Sequence, residues 1–253
     1  MKTKISWISF IIALLSIVPI RIFSSINNTG WDRNPIFAIL TTILMLFCGV
    51  PLYFCKDLFN LPKIHRNIPL AITSVIISLS FLWCSAAYLT DIEFYQNQQH
   101  PLLMSLLCLA TAVTFVFIAI TYFRGKNMFR KPQMLIFMPI LWCGMEMILF
   151  LSISNTNVDP YNVLLKSLLL LFLLYQSQIF VTSTDRNTTR RVFMLGMPAI
   201  LAVIMYNVPL IVSLFQASGD FSSVKAAICI AELFISAYIV LLLLDCQNQI
   251  EEK

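Results

Sequence analysis

The stretch VKAAICIAELFISAYIVLLLL, Val224 to Leu244, holds 21 residues, of which only Lys225 and Glu232 are charged. As a helix rising 1.5 Å per residue it is about 31 Å long, the thickness of a bilayer's hydrocarbon core. It contains neither Pro nor Gly to break that helix. Lys225, Cys229, Glu232 and Ser236 recur at i, i+4, i+7 and i+11, so one side is polar or small and the rest is apolar all round. This is the pattern of a membrane span with one face turned toward other helices.

Working outward, seven more runs of similar length are bounded by charge, Pro, Asn or Gly. They extend from Ile5 to Ser24, Ile36 to Cys55, Ile68 to Thr90, Pro101 to Phe123, Met134 to Ser154, Tyr161 to Thr182 and Val192 to Phe215. The reading is an all-α polytopic membrane bundle of about eight spans, a single transmembrane domain covering residues 1–253. The N-terminal run lacks a convincing small-residue cleavage site and is read as an uncleaved first span. The connections are too short to hold a soluble domain. Composition agrees: 59% of the residues are hydrophobic and 11% charged, against roughly a quarter charged in soluble domains.

A net charge of +5 in a soluble protein would suggest nucleic acid. Here the charges lie between apolar runs and report topology instead, and no nucleic-acid partner is expected. Alternate loops carry Lys2, Lys4, Lys56, Lys63, Arg66, Arg124, Lys126, Arg130, Lys131, Arg186, Arg190, Arg191 and Lys253, whereas the opposite loops carry only Arg33 and Lys225. By the positive-inside rule both termini are cytoplasmic, in a cell membrane, with Asp91, Glu93, Asp159 and Asp220 outside. The cluster Arg124, Lys126, Arg130 and Lys131 also suits anionic lipid, although topological signalling accounts for it. The seven cysteines form no C-x-x-C pair, so neither a disulfide framework nor a zinc site is expected. A faint repeat, Leu82-Trp83-Cys84 against Leu141-Trp142-Cys143 and Met138-Pro139 against Met197-Pro198, has the length of a two-helix hairpin.

Ionisable residues within spans are costly and usually face the bundle interior with a partner. Four stand out: Glu146, Glu232, Lys166 and Arg21. Counting along the spans puts both carboxylates about 12 Å below the outer surface, Lys166 about 8 Å and Arg21 about 6 Å. Arg21 is close enough to that surface to snorkel. Lys166 is expected to bridge to Glu146 on the preceding hairpin arm, which leaves Glu232 without an assigned partner and makes it the favoured functional residue. On the fifth span Pro139, Cys143, Glu146 and Ser154 share a side, with Phe150 among them. In the seventh, Tyr206 and Asn207 precede Pro209, whose missing N–H leaves the carbonyl of Met205 for Asn207 or a solute to occupy. Together Glu146, Glu232, Lys166, Tyr206 and Asn207 outline an expected ligand or ion pocket, open to the outside.

No H-E-x-x-H, no G-x-S-x-G and no phosphate-binding Gly loop is present, which argues against metalloprotease, serine-hydrolase and ATPase chemistry. The two histidines, His65 near Asp57 and His100 near Asp91 and Glu93, lack the further groups that catalysis needs. No catalytic residue, metal or cofactor is therefore expected. The leading expectation is a small secondary transporter or permease component for a small solute or cation. The alternatives are a sensor, immunity or assembly subunit acting through a protein partner or as a homo-oligomer, and an intramembrane lipid-modifying enzyme. The tail from Gln247 to Lys253 spans about two turns, so sensing would need a partner to carry its output. Six glycines are few for a transport fold that breaks its helices.

Overall fold

The computed structural model describes residues 2–27, 35–53, 64–90, 101–153, 160–181, 188–216 and 223–251. The described residues form eight α-helices: α1 (Lys2–Asn27), α2 (Pro35–Tyr53), α3 (Ile68–Thr90), α4 (Pro101–Arg124), α5 (Met138–Ile153), α6 (Pro160–Phe180), α7 (Thr188–Gln216) and α8 (Ser223–Glu251). Seven stretches are long and apolar enough to cross a membrane, so this is a multi-pass helical membrane protein. They are Ser6–Ser24, Ile68–Thr90, Pro101–Arg124, Gln133–Ser152, Tyr161–Phe180, Thr188–Val212 and Ser223–Gln249. The expected span from Ile36 to Cys55 corresponds to α2, whose apolar stretch Ile39–Gly49 is shorter. Cys55, Asp57, Asp91, Glu93, His100, Ser154, Asp159, Asp220, Arg33, Lys56, Lys63, Arg186 and Lys253 lie outside the described residues.

Which side of each helix faces inward follows from side-chain size. In α1, Ser6, Phe10, Ala13, Ile17, Arg21 and Ser24 are buried at steps of three or four, while Ile8, Ile11, Ile12, Leu15 and Phe23 are exposed. That apolar outer face is what a span presents to lipid tails. Small residues set the closest approaches, as van der Waals packing requires where no hydrophobic force drives helices together. Along α3 and α4 the buried residues include Ser74, Ser78, Ser85, Ser105, Cys108, Thr111 and Ala112, and the hydroxyls of Ser85 and Ser105 lie 2.9 Å apart. Gly49 of α2 sits so near α7 that a Cβ there would be 2.9 Å from the carbonyl oxygen of Met194. Among the described residues, α7 packs against α1, α2, α6 and α8 and so is the helix around which the others gather.

Three boundaries differ from the sequence reading. Helix α7 begins at Thr188 and takes in Arg190 and Arg191, and α8 runs on to Glu251. Charge limits how far a helix enters lipid, not how far it stays helical. The fifth span starts as a 3₁₀ turn, Gln133–Phe137, and becomes α-helical at Met138. Pro139 has no N–H to give, and the carbonyl of Leu135 accepts from the Met138 N–H and from Thr114 Oγ1, the latter at 2.7 Å. The two tryptophans of the apparent repeat are not equivalent: Trp83 is 45% exposed and Trp142 fully buried.

Candidate functional site

Lys166 lies on the buried side of α6, and its position is explained by what surrounds it. Its Nζ is 2.5 Å from Glu232 Oε1 on α8 and 3.7 Å from Glu146 Oε2 on α5. The second Glu232 oxygen accepts from Asn207 Nδ2 on α7 at 2.9 Å, and the side-chain oxygen Oδ1 of Asn207 accepts from the Cys229 thiol at 3.1 Å. Glu146 Oε1 accepts from the hydroxyl of Tyr88 on α3. The ammonium also rests 5.1 Å from the centre of the Trp142 ring, one turn before Glu146, a cation–π contact that strengthens with desolvation. Cys143, next to Trp142, lies 3.4 Å from the Lys166 carbonyl. Five helices thus meet at one lysine.

The structure brings Glu146, Lys166, Asn207 and Glu232 together, with Tyr206 half-buried on the same turn of α7. The pairing differs from the sequence expectation. Lys166 sits closer to Glu232 than to Glu146, so Glu232 has a partner and in fact holds the more intimate ion pair. The reason is rotational: Glu232 shares a face with Cys229 and Ser236, and that face of α8 is turned inward. The expected opening to the outside is also corrected. Glu232 and Asn207 are each 1% exposed and Lys166 4%. Asn207 turns to Glu232 rather than to the carbonyl freed by Pro209, and α7 remains helical through that proline.

Arg21 does not snorkel. It belongs to the inward stripe of α1, and its guanidinium lies 4.3 Å from the centre of the Tyr161 ring. Sequence reasoning missed Tyr88 and Trp142. A tyrosine or tryptophan in an apolar run carries no local mark of its partner, although Trp142 at i−4 from Glu146 offered a hint.

Beneath the ion cluster lies an aromatic layer. Trp142 meets Phe81 edge to face at 4.7 Å, Phe81 stacks on Phe115 at 6.0 Å, and Phe115 meets Tyr238 at 6.1 Å. Beyond it, at the rim where α1 begins and α8 ends, a second polar cluster forms around Asp245. Its carboxylate accepts from Asn67 Nδ2 at 2.6 Å and Gln249 Nε2 at 3.1 Å, and lies 3.2 Å from His65 Nε2. Asn67 also caps α3, accepting from Leu70 N at 3.2 Å. Trp7 Nε1 donates to Gln247 Oε1 at 2.9 Å, which ties α1 to the end of α8. Among the described residues no group of three His, Cys, Asp or Glu side chains suits a metal ion. The chain matches no family model, and no curated protein or solved structure matches it significantly.

Proposed function

We propose that this chain is a small secondary transporter or permease component in which Lys166, Glu146 and Glu232 carry one proton or one monovalent cation. The observation behind the reading is the sharing of a single ammonium by two buried carboxylates. With all three groups ionised the cluster holds one negative charge too many, and uncompensated charge in a low-dielectric interior is expensive. One bound proton or cation removes that excess. Unequal distances of 2.5 and 3.7 Å make Lys166 a switch: when the load sits on Glu232, the ammonium moves to Glu146, and the reverse. Tyr88 and Asn207 hold the two carboxylates in place during the exchange. The basic rim faces the cytoplasm, as its lysines and arginines require.

A second reading has its own support. Glu232, Lys166 and Asn207 satisfy one another and tie α6, α7 and α8 together, which is what a structural joint does in a subunit that works through a partner protein.

Thermal unfolding of the purified full chain, across pH and with Na⁺, K⁺ and Li⁺ salts, separates the two. Ligand that binds only the folded state raises the midpoint by mass action. Transport predicts a shift with pH or with one of these cations that disappears in Glu232→Gln, and dissipation of that ion's gradient by the wild type in proteoliposomes. An invariant midpoint in wild type, together with ion-tight proteoliposomes, would refute carriage and leave the structural joint.

A further inference from the structure

The face of α6 that bears Lys166 carries a second buried polar group ten residues on, Gln176, which is 3% exposed. Its Nε2 donates to the hydroxyl of Tyr238 at 2.9 Å, and that hydroxyl also hydrogen-bonds Tyr122. Its Oε1 is buried and has no hydrogen-bond partner among the described residues. Exchanging the amide ends would only turn the nitrogen into the same position, so one end of the amide faces outward from the Tyr238 contact in either case. Gln176 lines a cavity together with Phe115, Ile118, Ile136, Pro139, Leu173 and Ser177, with room for about one water-sized sphere.

Leaving a buried amide oxygen unpaired costs about 1–3 kcal/mol. Apolar cavities of this size stay dry, whereas a polar one with two or more hydrogen-bonding groups holds water. Ser177 supplies the second group. Its hydroxyl donates to the Leu174 carbonyl at 2.7 Å, which leaves its oxygen able to accept. The wall opposite is the 3₁₀ turn Gln133–Phe137 and Pro139, and irregular backbone at membrane depth is tolerated where it is covered by protein or borders water.

We infer that this cavity is a binding site for one ordered water molecule, which donates to Gln176 Oε1 and to Ser177 Oγ. The site lies near the basic rim, about 6 Å from the end of α6, and the aromatic layer of Phe81, Phe115 and Trp142 separates it from the ion cluster. The inference is independent of transport, since it concerns water held by the resting fold.

Synchrotron radiolytic footprinting of the full chain in ¹⁸O water tests it, because hydroxyl radicals formed from a bound water oxidise the side chains beside it. Phe115 and Leu173 line the cavity, while Phe172 and Leu169 are also buried without lining it. Each pair compares the same residue type. The expected result is labelling of Phe115 and Leu173 several-fold above Phe172 and Leu169, lost in Gln176→Leu and kept in Gln176→Glu. Equal labelling within each pair in the wild type overturns the site, as does labelling that survives Gln176→Leu undiminished. Should Gln176→Leu fail to fold, the wild-type pairs and Gln176→Glu decide alone.

Discussion

Two acidic residues of α8, Glu232 and Asp245, lie 13 positions apart and organise two clusters in opposite surroundings. Glu232 is 1% exposed and meets a lysine that is itself buried. Asp245 is also covered, but its partner His65 has a side chain 46% exposed, at the basic rim. Similar contact distances therefore carry different energies. In water-rich surroundings screening and side-chain entropy reduce an ion pair to between zero and about 1 kcal/mol. Without solvent the attraction grows, and so does the cost of leaving either partner alone. The deep cluster is a place where losing one group is severe; the rim cluster is a place where losing one group is mild.

Removing the shared cation breaks this contrast most sharply. Lys166→Met leaves two carboxylates facing each other, and we expect a loss of about 3–5 kcal/mol of stability. Unfolding of the purified chain in mixed micelles measures it, and adding Glu232→Gln to Lys166→Met should recover part of the loss. A single mutant within about 1 kcal/mol of wild type would show that the site is far wetter than its burial implies.

The next effect concerns the two arms of the lysine. Double-mutant cycles should give a coupling of about 1–3 kcal/mol between Lys166 and Glu232, and a smaller one between Lys166 and Glu146. The latter pair is more distant, at 3.7 Å, and its carboxylate is 13% exposed. Equal couplings would mean that the lysine samples both partners evenly.

At the rim, Asp245→Asn should cost no more than about 1 kcal/mol, and the cost should shrink as salt rises from 0.05 to 0.5 M, where screening is strong. The Lys166→Met cost should hold over the same range. Salt sensitivity in the deep cluster and none at the rim would reverse the comparison. Comparable in size, Trp7→Phe keeps the ring's apolar packing and loses only the hydrogen bond to Gln247, an effect of about 0.5–1.5 kcal/mol in the same unfolding assay.

Much of the architecture was legible in advance, for a reason visible in particular elements. The run from Val224 to Leu244 reads as a span because transfer of each side chain into lipid contributes almost independently of its neighbours. The depth estimates for Glu146 and Glu232 rest on nothing more than a constant rise per residue, and the lysine that touches both is consistent with them. What failed was rotation and partnership. Arg21 was expected at the lipid surface, yet one step of the α1 stripe carries it inward beside Tyr161. His65 was weighed against Asp57, its neighbour in sequence, whereas its partner is Asp245, 180 positions away.

By itself the sequence determined that the chain is membrane-embedded, roughly where its helices lie, and which few ionisable groups had to be sheltered. These are sums over local contributions, and sums survive ignorance of neighbours. Only the tertiary structure decided that Glu232 takes the closer contact with Lys166, that Tyr88 steadies Glu146, that the ion cluster is closed off, and that Gln176 lines a cavity. Each of these depends on the angle at which one helix presents itself to another, and at 100° per residue a single position turns a lipid-facing side chain into a buried one.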